Sequence, residues 1–227
     1  MGMFSIFKAR NAGVKYAKGD VEGALQLYKE AMADGLTDMR YILSYSATLI
    51  REGHYAEARE LLVKLQKYLM TDDQRRQLFV NYASCVYKMG EVEKGIELLE
   101  RQHAKQPSGA IYQTLGYLYV EAGEAEKALS FNLEAYEYDD EDSIVLDNLG
   151  QTYYRLLNDK EKAKEYFEKA IAVKHNQIDT LYFLAQYDIE AGDNAAAKEK
   201  LELALEGNFS PLNYVTREQV QEIVHSL

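Results

Sequence analysis

Runs of helix-forming residues punctuated by glycine fill this 227-residue chain, and nowhere do apolar and polar positions sustain the alternation of a β-strand. Residues 115–129, LGYLYVEAGEAEKAL, show the pattern, with glycine at 116 and again at 123. A glycine inside a helix costs on the order of 1 kcal/mol relative to alanine, so the absent side chain must be put to use. Glycines that follow a helical segment and precede an acidic or polar residue recur at Gly19, Gly53, Gly90, Gly123 and Gly192. Their spacings are 34, 37, 33 and 69 residues, and the last divides into 34 and 35 if LLNDKEKA at 156–163 makes a turn from other residues. Six units follow, each predicted to be a helix, a turn and a second helix.

Small residues keep the same ruler. Seven positions before each turn, with a one-residue shift in the fifth unit, stand Ala12, Ser46, Ala83, Gly116, Gly150 and Ala185. On the second helix stand Ala24, Ala58, Gly95, Ala128, Ala163 and Ala197. Small side chains at fixed places on successive helices let the backbones approach closely, so each hairpin can nest against the next.

The unit at 109–142 places Tyr112, Leu115, Gly116, Tyr119, Gly123, Ala128 and Ala135 at the spacing W-x2-L-G-x2-Y followed by A-x3-F, and so resembles the tetratricopeptide repeat. Asn132 stands where an aromatic is usual. The unit from 143 matches with Leu149, Gly150, Tyr153, Ala163, Phe167 and Ala170 after a one-residue insertion, and the unit from 178 with Leu184, Ala185, Gly192, Ala197 and Ala204. The three earlier units match less closely, with Lys8 and Lys15 at positions where apolar residues are expected. The resemblance implies an all-α fold, an α-solenoid of about six helical hairpins in a right-handed superhelix. It divides a single solenoid over 1–209 into repeats at 5–38, 39–75, 76–108, 109–142, 143–177 and 178–209, closed by a capping helix over 210–227. Ser210 before Pro211 offers one start for that helix and Thr216 with Gln219 a second, and Leu212, Val215, Val220, Ile223, Val224 and Leu227 form its apolar stripe.

Composition narrows the function. The chain has two prolines, Pro107 and Pro211, and one cysteine, Cys85, which cannot form an internal disulfide and fits a reducing, cytoplasmic setting. A net charge of −11 argues against nucleic acid. That charge is uneven: residues 1–113 hold 16 Lys and Arg against 14 Asp and Glu, residues 114–227 hold 10 against 23. No apolar run approaches a membrane span, and Phe4, Ile6 and Phe7 are expected to cover the first exposed edge of the core rather than to anchor the chain.

Catalytic chemistry does not converge. His54, His103, His175 and His225 fall in distant units with no metal-ligand spacing, Cys85 sits on an inward helix face, and no phosphate-binding glycine motif occurs. The acidic run EYDDED at 137–142 lacks the glycine of a calcium loop and reads as a solvated connection ahead of a helix. The expectation is therefore no enzyme, no metal and no cofactor.

In the resembled family the first helix of each hairpin lines a concave surface that binds protein segments. Carried onto this chain, those positions nominate Arg10, Arg51, Asn81, Tyr87, Lys88, Tyr117, Asn148, Tyr154 and Arg155 as a peptide-binding face. Asn81 and Asn148 would hold ligand main chain, the cations would attract an acidic segment, and the tyrosines would supply apolar contact. The later units add an acidic wall of Glu121, Asp147, Asp179 and Glu190. A clamp for chaperone C-termini is not expected, since Leu43 and Ala47 occupy positions that it would give to Lys and Asn. The leading reading is an adaptor that binds a protein or peptide; the competing readings are self-association as a homodimer, and a regulatory subunit of an enzyme or a small-ligand sensor.

Overall fold

Six turns organise the chain. Gly19, Gly53, Gly90, Gly123 and Gly192 all adopt the left-handed conformation, with φ between 74° and 82°. The sixth turn lacks glycine, and there Asn158 takes φ 53°, the one non-glycine residue with positive φ among the described residues. The computed structural model describes residues 2–227, which include no strand. Two compact units result, residues 1–98 and 99–227.

The first unit contains α1 (Gly2–Ala17), α2 (Val21–Ala33), α3 (Met39–Arg51), α4 (Tyr55–Leu65), α5 (Asp72–Lys88) and the start of α6 (Val92–His103). Three of its helices begin at capping residues: the Asp20 side chain accepts from Gly23 N at 3.0 Å, Asp38 from Arg40 N at 3.0 Å, and Thr71 and Gln74 form a reciprocal capping box. Lys8 replaces an expected apolar residue without loss, because Glu30 and Asp34 on α2 receive its ammonium at 3.0 and 2.9 Å. Tyr28 stacks on Tyr45 with ring centroids 5.0 Å apart and shares a hydrogen bond with Ser44, which joins α2 to α3. The N-terminal aromatics depart from expectation. Phe4 and Phe7 are 63% and 59% exposed and Ile6 is also exposed, because α1 packs on α2 through the opposite, small-residue face of Ala9 and Ala12.

The second unit continues α6 and adds α7 (Gly109–Glu121), α8 (Ala125–Tyr138), α9 (Ser143–Gln151), α10 (Lys160–Val173), α11 (Ile178–Glu190), α12 (Asn194–Leu205) and α13 (Arg217–Ser226). All twelve small positions of the ruler are buried in the two units. The glycines among them answer to particular neighbours. A Cβ on Gly116 would overlap Asn132 Oδ1, and one on Gly150 would fall on the Phe167 ring. Phe167 is fully buried there and stacks on Phe183 at 5.0 Å. Burial of such a ring contributes about 2–3 kcal/mol, more than the helix loses by carrying glycine.

The inserted residue of the fifth unit becomes a π-helical turn over Thr152–Leu156 that prolongs α9. Leu157 N reaches Thr152 O at 3.2 Å and Asp159 N reaches Tyr153 O at 2.9 Å, so the wider turn absorbs one residue and restores register before α10. At the far end, Ser210-Pro211 does not start a helix. Ser210 N donates to Asn213 Oδ1 at 2.7 Å, which makes a tight turn, and α13 begins instead at the Thr216–Gln219 capping box. Val215 and Val220 then join Ile178, Leu181, Ala197 and Leu201 in the terminal core.

Candidate functional site

In the second unit the first helices of the hairpins, α7, α9 and α11, are successive neighbours. On their shared face lies a cavity of about 150 Å³. Gln113, Thr114 and Tyr117 line it from α7, Ile144, Asp147 and Asn148 from α9, and Gln177 and Asp179 from the start of α11. Ser210, Leu212 and Asn213 of the turn ahead of α13 close it.

Two of these residues are carboxylates, each 3% exposed. Asp147 accepts from Thr180 Oγ1 at 2.6 Å and from Gln151 Nε2 at 2.7 Å, which ties α9 to α11. Asp179 accepts from Asn213 Nδ2 at 3.0 Å and from the backbone N–H groups of Tyr214 and Val215 at 3.1 and 3.4 Å, which tethers the chain leading into α13. Burial pushes both carboxyls above the usual range, Asp147 to about 6 and Asp179 to about 7, and the Asp147 charge adds to the rise at Asp179. The hydrogen bonds oppose these shifts without cancelling them.

The nominated residues distribute unevenly. Tyr117 and Asn148 line the cavity. Tyr154 packs instead among Phe167, Phe183 and Tyr187. Arg155 is held by Glu121 at 2.6 Å and Gln151 at 2.8 Å, with its guanidinium 4.1 Å from the Tyr214 ring centre. In the first unit Arg10, Arg51 and Lys88 are exposed, and Tyr87 is half-buried with the Lys88 ammonium 5.4 Å from its ring centre. A depression of about 440 Å³ between α3 and α5 is lined by Arg40, Leu43, Ser44, Ala47, Asp73, Gln74 and Gln77, and by none of those four or Asn81.

The asparagines require a correction. Asn81 is buried, and its amide N–H groups donate to Leu43 O at 3.2 Å and Ser46 Oγ at 2.9 Å while its oxygen accepts from Gln77. Asn148 donates to Gln113 O at 2.9 Å. Both amide nitrogens therefore bond the main chain of the preceding repeat, which occupies Asn81 fully and one of the two N–H donors of Asn148. Asn148 Oδ1 is different, since it accepts no hydrogen bond among the described residues. Residues absent from the nominated set also shape the site: Gln177, just ahead of α11, and the Ser210–Asn213 turn. The turn-forming composition of Ser-Pro-Leu-Asn was its sequence signal.

Other candidate chemistry resolves into structure. Cys85 is fully buried, its thiol donates to Tyr55 O at 3.2 Å, and burial pushes its pKa up to about 11. Among the described residues no group of three His, Cys, Asp or Glu side chains could hold a metal ion. Asp142 of the acidic run accepts from Ile144 N and Val145 N and caps α9.

Small-residue hairpins with left-handed turns and a polar site on their first helices define a helical-repeat interaction scaffold. Tetratricopeptide repeat models match residues 5–69, 51–138 and 145–176, so the chain belongs to the tetratricopeptide repeat family. It is 28% identical over 156 residues to the TPR repeat-containing protein YpiA of Bacillus subtilis, a match that covers 68% of this chain and 36% of YpiA. The chain thus spans about a third of that relative's length. Among solved structures it is similar to a thermophilic tetratricopeptide repeat protein of Thermus thermophilus, with TM-score 0.67 and 20% identity over 83% of this chain and 97% of the other. A tetratricopeptide repeat protein of Parabacteroides merdae matches 99% of this chain and 98% of its own, with TM-score 0.62 and 14% identity. YrrB, a tetratricopeptide repeat protein with an unusual peptide-binding site, matches 77% and 88% with TM-score 0.51 and 20% identity. No helix among the described residues is long and apolar enough to cross a membrane.

Proposed function

We propose that this chain is a non-enzymatic adaptor that binds an extended segment of a partner protein on the first-helix faces of its hairpins. The observation that supports this reading best is the cavity of the second unit. It joins three successive first helices and combines apolar surface from Tyr117, Ile144 and Leu212 with amide groups of Gln113, Asn148 and Gln177. At about 150 Å³ the cavity is smaller than the ~300 Å³ at which small-molecule sites begin, and so suits one side chain of a peptide better than a whole metabolite. The likeness to a peptide-binding relative agrees with it. On the first unit, exposed Arg10, Arg51 and Lys88 would engage acidic residues of a partner. The test is selection of a displayed random-peptide library on the full chain, followed by titration of enriched peptides. Ile144→Glu, at the half-buried rim, should weaken them at least tenfold with the helical circular dichroism unchanged. Peptides that bind this variant as tightly as the wild type would remove the cavity from the function.

A further inference from the structure

The polar groups that face the cavity are unequally satisfied. Asp147 and Asp179 receive only neutral donors: a hydroxyl, two carboxamides and two backbone N–H groups. Neither forms an ion pair among the described residues. Arg155, the guanidinium whose charge acts on Asp147, is bonded to Glu121 and Gln151, and Lys174, whose charge also acts there, is exposed and forms no ion pair with it. Two carboxylates buried side by side without a cation are costly, since low dielectric strengthens their repulsion and removes their hydration.

A second observation points the same way. Gln177 lines the cavity, is 8% exposed, and its carboxamide has no hydrogen-bond partner among the described residues. Its oxygen joins Asn148 Oδ1 and the remaining lone pairs of the two carboxylates. The wall is therefore rich in unfilled acceptors. A group bearing several N–H donors and a positive charge matches these acceptors, whereas an anion or a neutral carbonyl would meet only amide N–H groups such as that of Gln177 and face the two carboxylates unpaired. Among the described residues no third His, Cys, Asp or Glu joins the two carboxylates in a group that could hold a metal ion.

We infer that the cavity between α7, α9, α11 and the Ser210–Asn213 turn is an anchor pocket for a Lys or Arg side chain of the bound peptide. This rests on the peptide-binding reading above and adds its chemistry. The ammonium or guanidinium would lie against Asp147 and Asp179 and donate to Gln177 and Asn148, while Tyr117 and Leu212 flank its methylene stem. The same end of the chain holds the excess of negative charge, which draws such a residue in.

The experiment uses the full chain and four fluorescent dodecapeptide pools, random except for a central Lys, Arg, Gln or Glu. The Lys and Arg pools should bind at least tenfold more tightly than the Gln pool, and the Glu pool most weakly. Asp147→Asn should abolish that preference. Gln177→Lys supplies the pocket with its own cation, so it should raise the melting temperature at pH 8 and block the Lys and Arg pools. Equal binding of the Lys, Arg and Gln pools would overturn the anchor pocket and leave peptide binding intact. Full Lys-pool binding by both folded variants would likewise overturn the anchor pocket alone, whereas absence of binding by every pool would overturn peptide binding as well. Competition by n-butylamine as strong as that of the Lys pool would reassign the pocket to a free amine and overturn the peptide source.

Discussion

At the residue scale, fit decides more than propensity. Gly150 is a poor helix former, yet alanine there would press a Cβ into the buried Phe167 ring, against which Phe183 stacks. Gly150→Ala should therefore lower unfolding free energy by about 1–3 kcal/mol in urea titration, despite a gain in helix propensity, because overpacking outweighs it. A variant at least as stable as the wild type would show that Phe167 can move. The carboxylate pair sets a pH dependence of definite sign. With folded values of about 6 and about 7, Asp147 and Asp179 hold protons that the unfolded chain has released, so their contribution to stability is present at low pH and is lost as pH rises through that range. Stability of the unliganded chain should fall by on the order of 2–4 kcal/mol between pH 5 and pH 8, as measured by chemical denaturation, and Asp179→Asn should flatten the profile. The small-residue positions were legible in the sequence because they keep a nearly constant offset from each turn. The fate of Asn81 and Asn148 was not, since an amide serves a ligand or a neighbouring carbonyl equally well and only the distance to Leu43 O or Gln113 O distinguishes them.

At the element scale, the fifth hairpin shows how a repeat tolerates an extra residue. The widened turn at Thr152–Leu156 restores register, and Asn158 does the work of the missing glycine. Asn158→Gly should leave the melting temperature almost unchanged. Asn158→Val should destabilise the protein by about 1–2 kcal/mol, since a β-branched residue resists positive φ. The spacing of 69 residues already announced a turn near 158 and one residue too many, but not where the surplus would be placed. At the C-terminus two starts competed for one helix. The capping box at Thr216 and Gln219 prevailed because both of its reciprocal hydrogen bonds form, whereas Ser210 is engaged by Asn213. Thr216→Ala should cost about 1 kcal/mol, read by the same denaturation assay.

At the scale of the whole molecule, charge divides with the compact units: residues 1–98 hold 14 Lys and Arg against 13 Asp and Glu, and residues 99–227 hold 12 against 24. A cationic peptide should accordingly associate with a rate constant that falls about tenfold when NaCl is raised from 0.05 to 0.5 M, with a smaller change in dissociation, as stopped-flow would show. A rate indifferent to salt would mean that the acidic surface takes no part in capture. The helical hairpins were readable from the period, and the family from motif residues such as Leu115, Gly116, Tyr119 and Ala128. The pocket was not, because its last wall is supplied by a segment outside the repeats, the turn that Asp179 holds through Asn213. That wall constrains how the gene can lengthen. Duplicating a hairpin after α12 would push the Ser210–Asn213 turn away from Asp179 and erase the enclosure, whereas copies gained ahead of α7 would leave it whole. Descendants of this array can add length upstream and keep their specificity, but growth at the other end would make them different receptors.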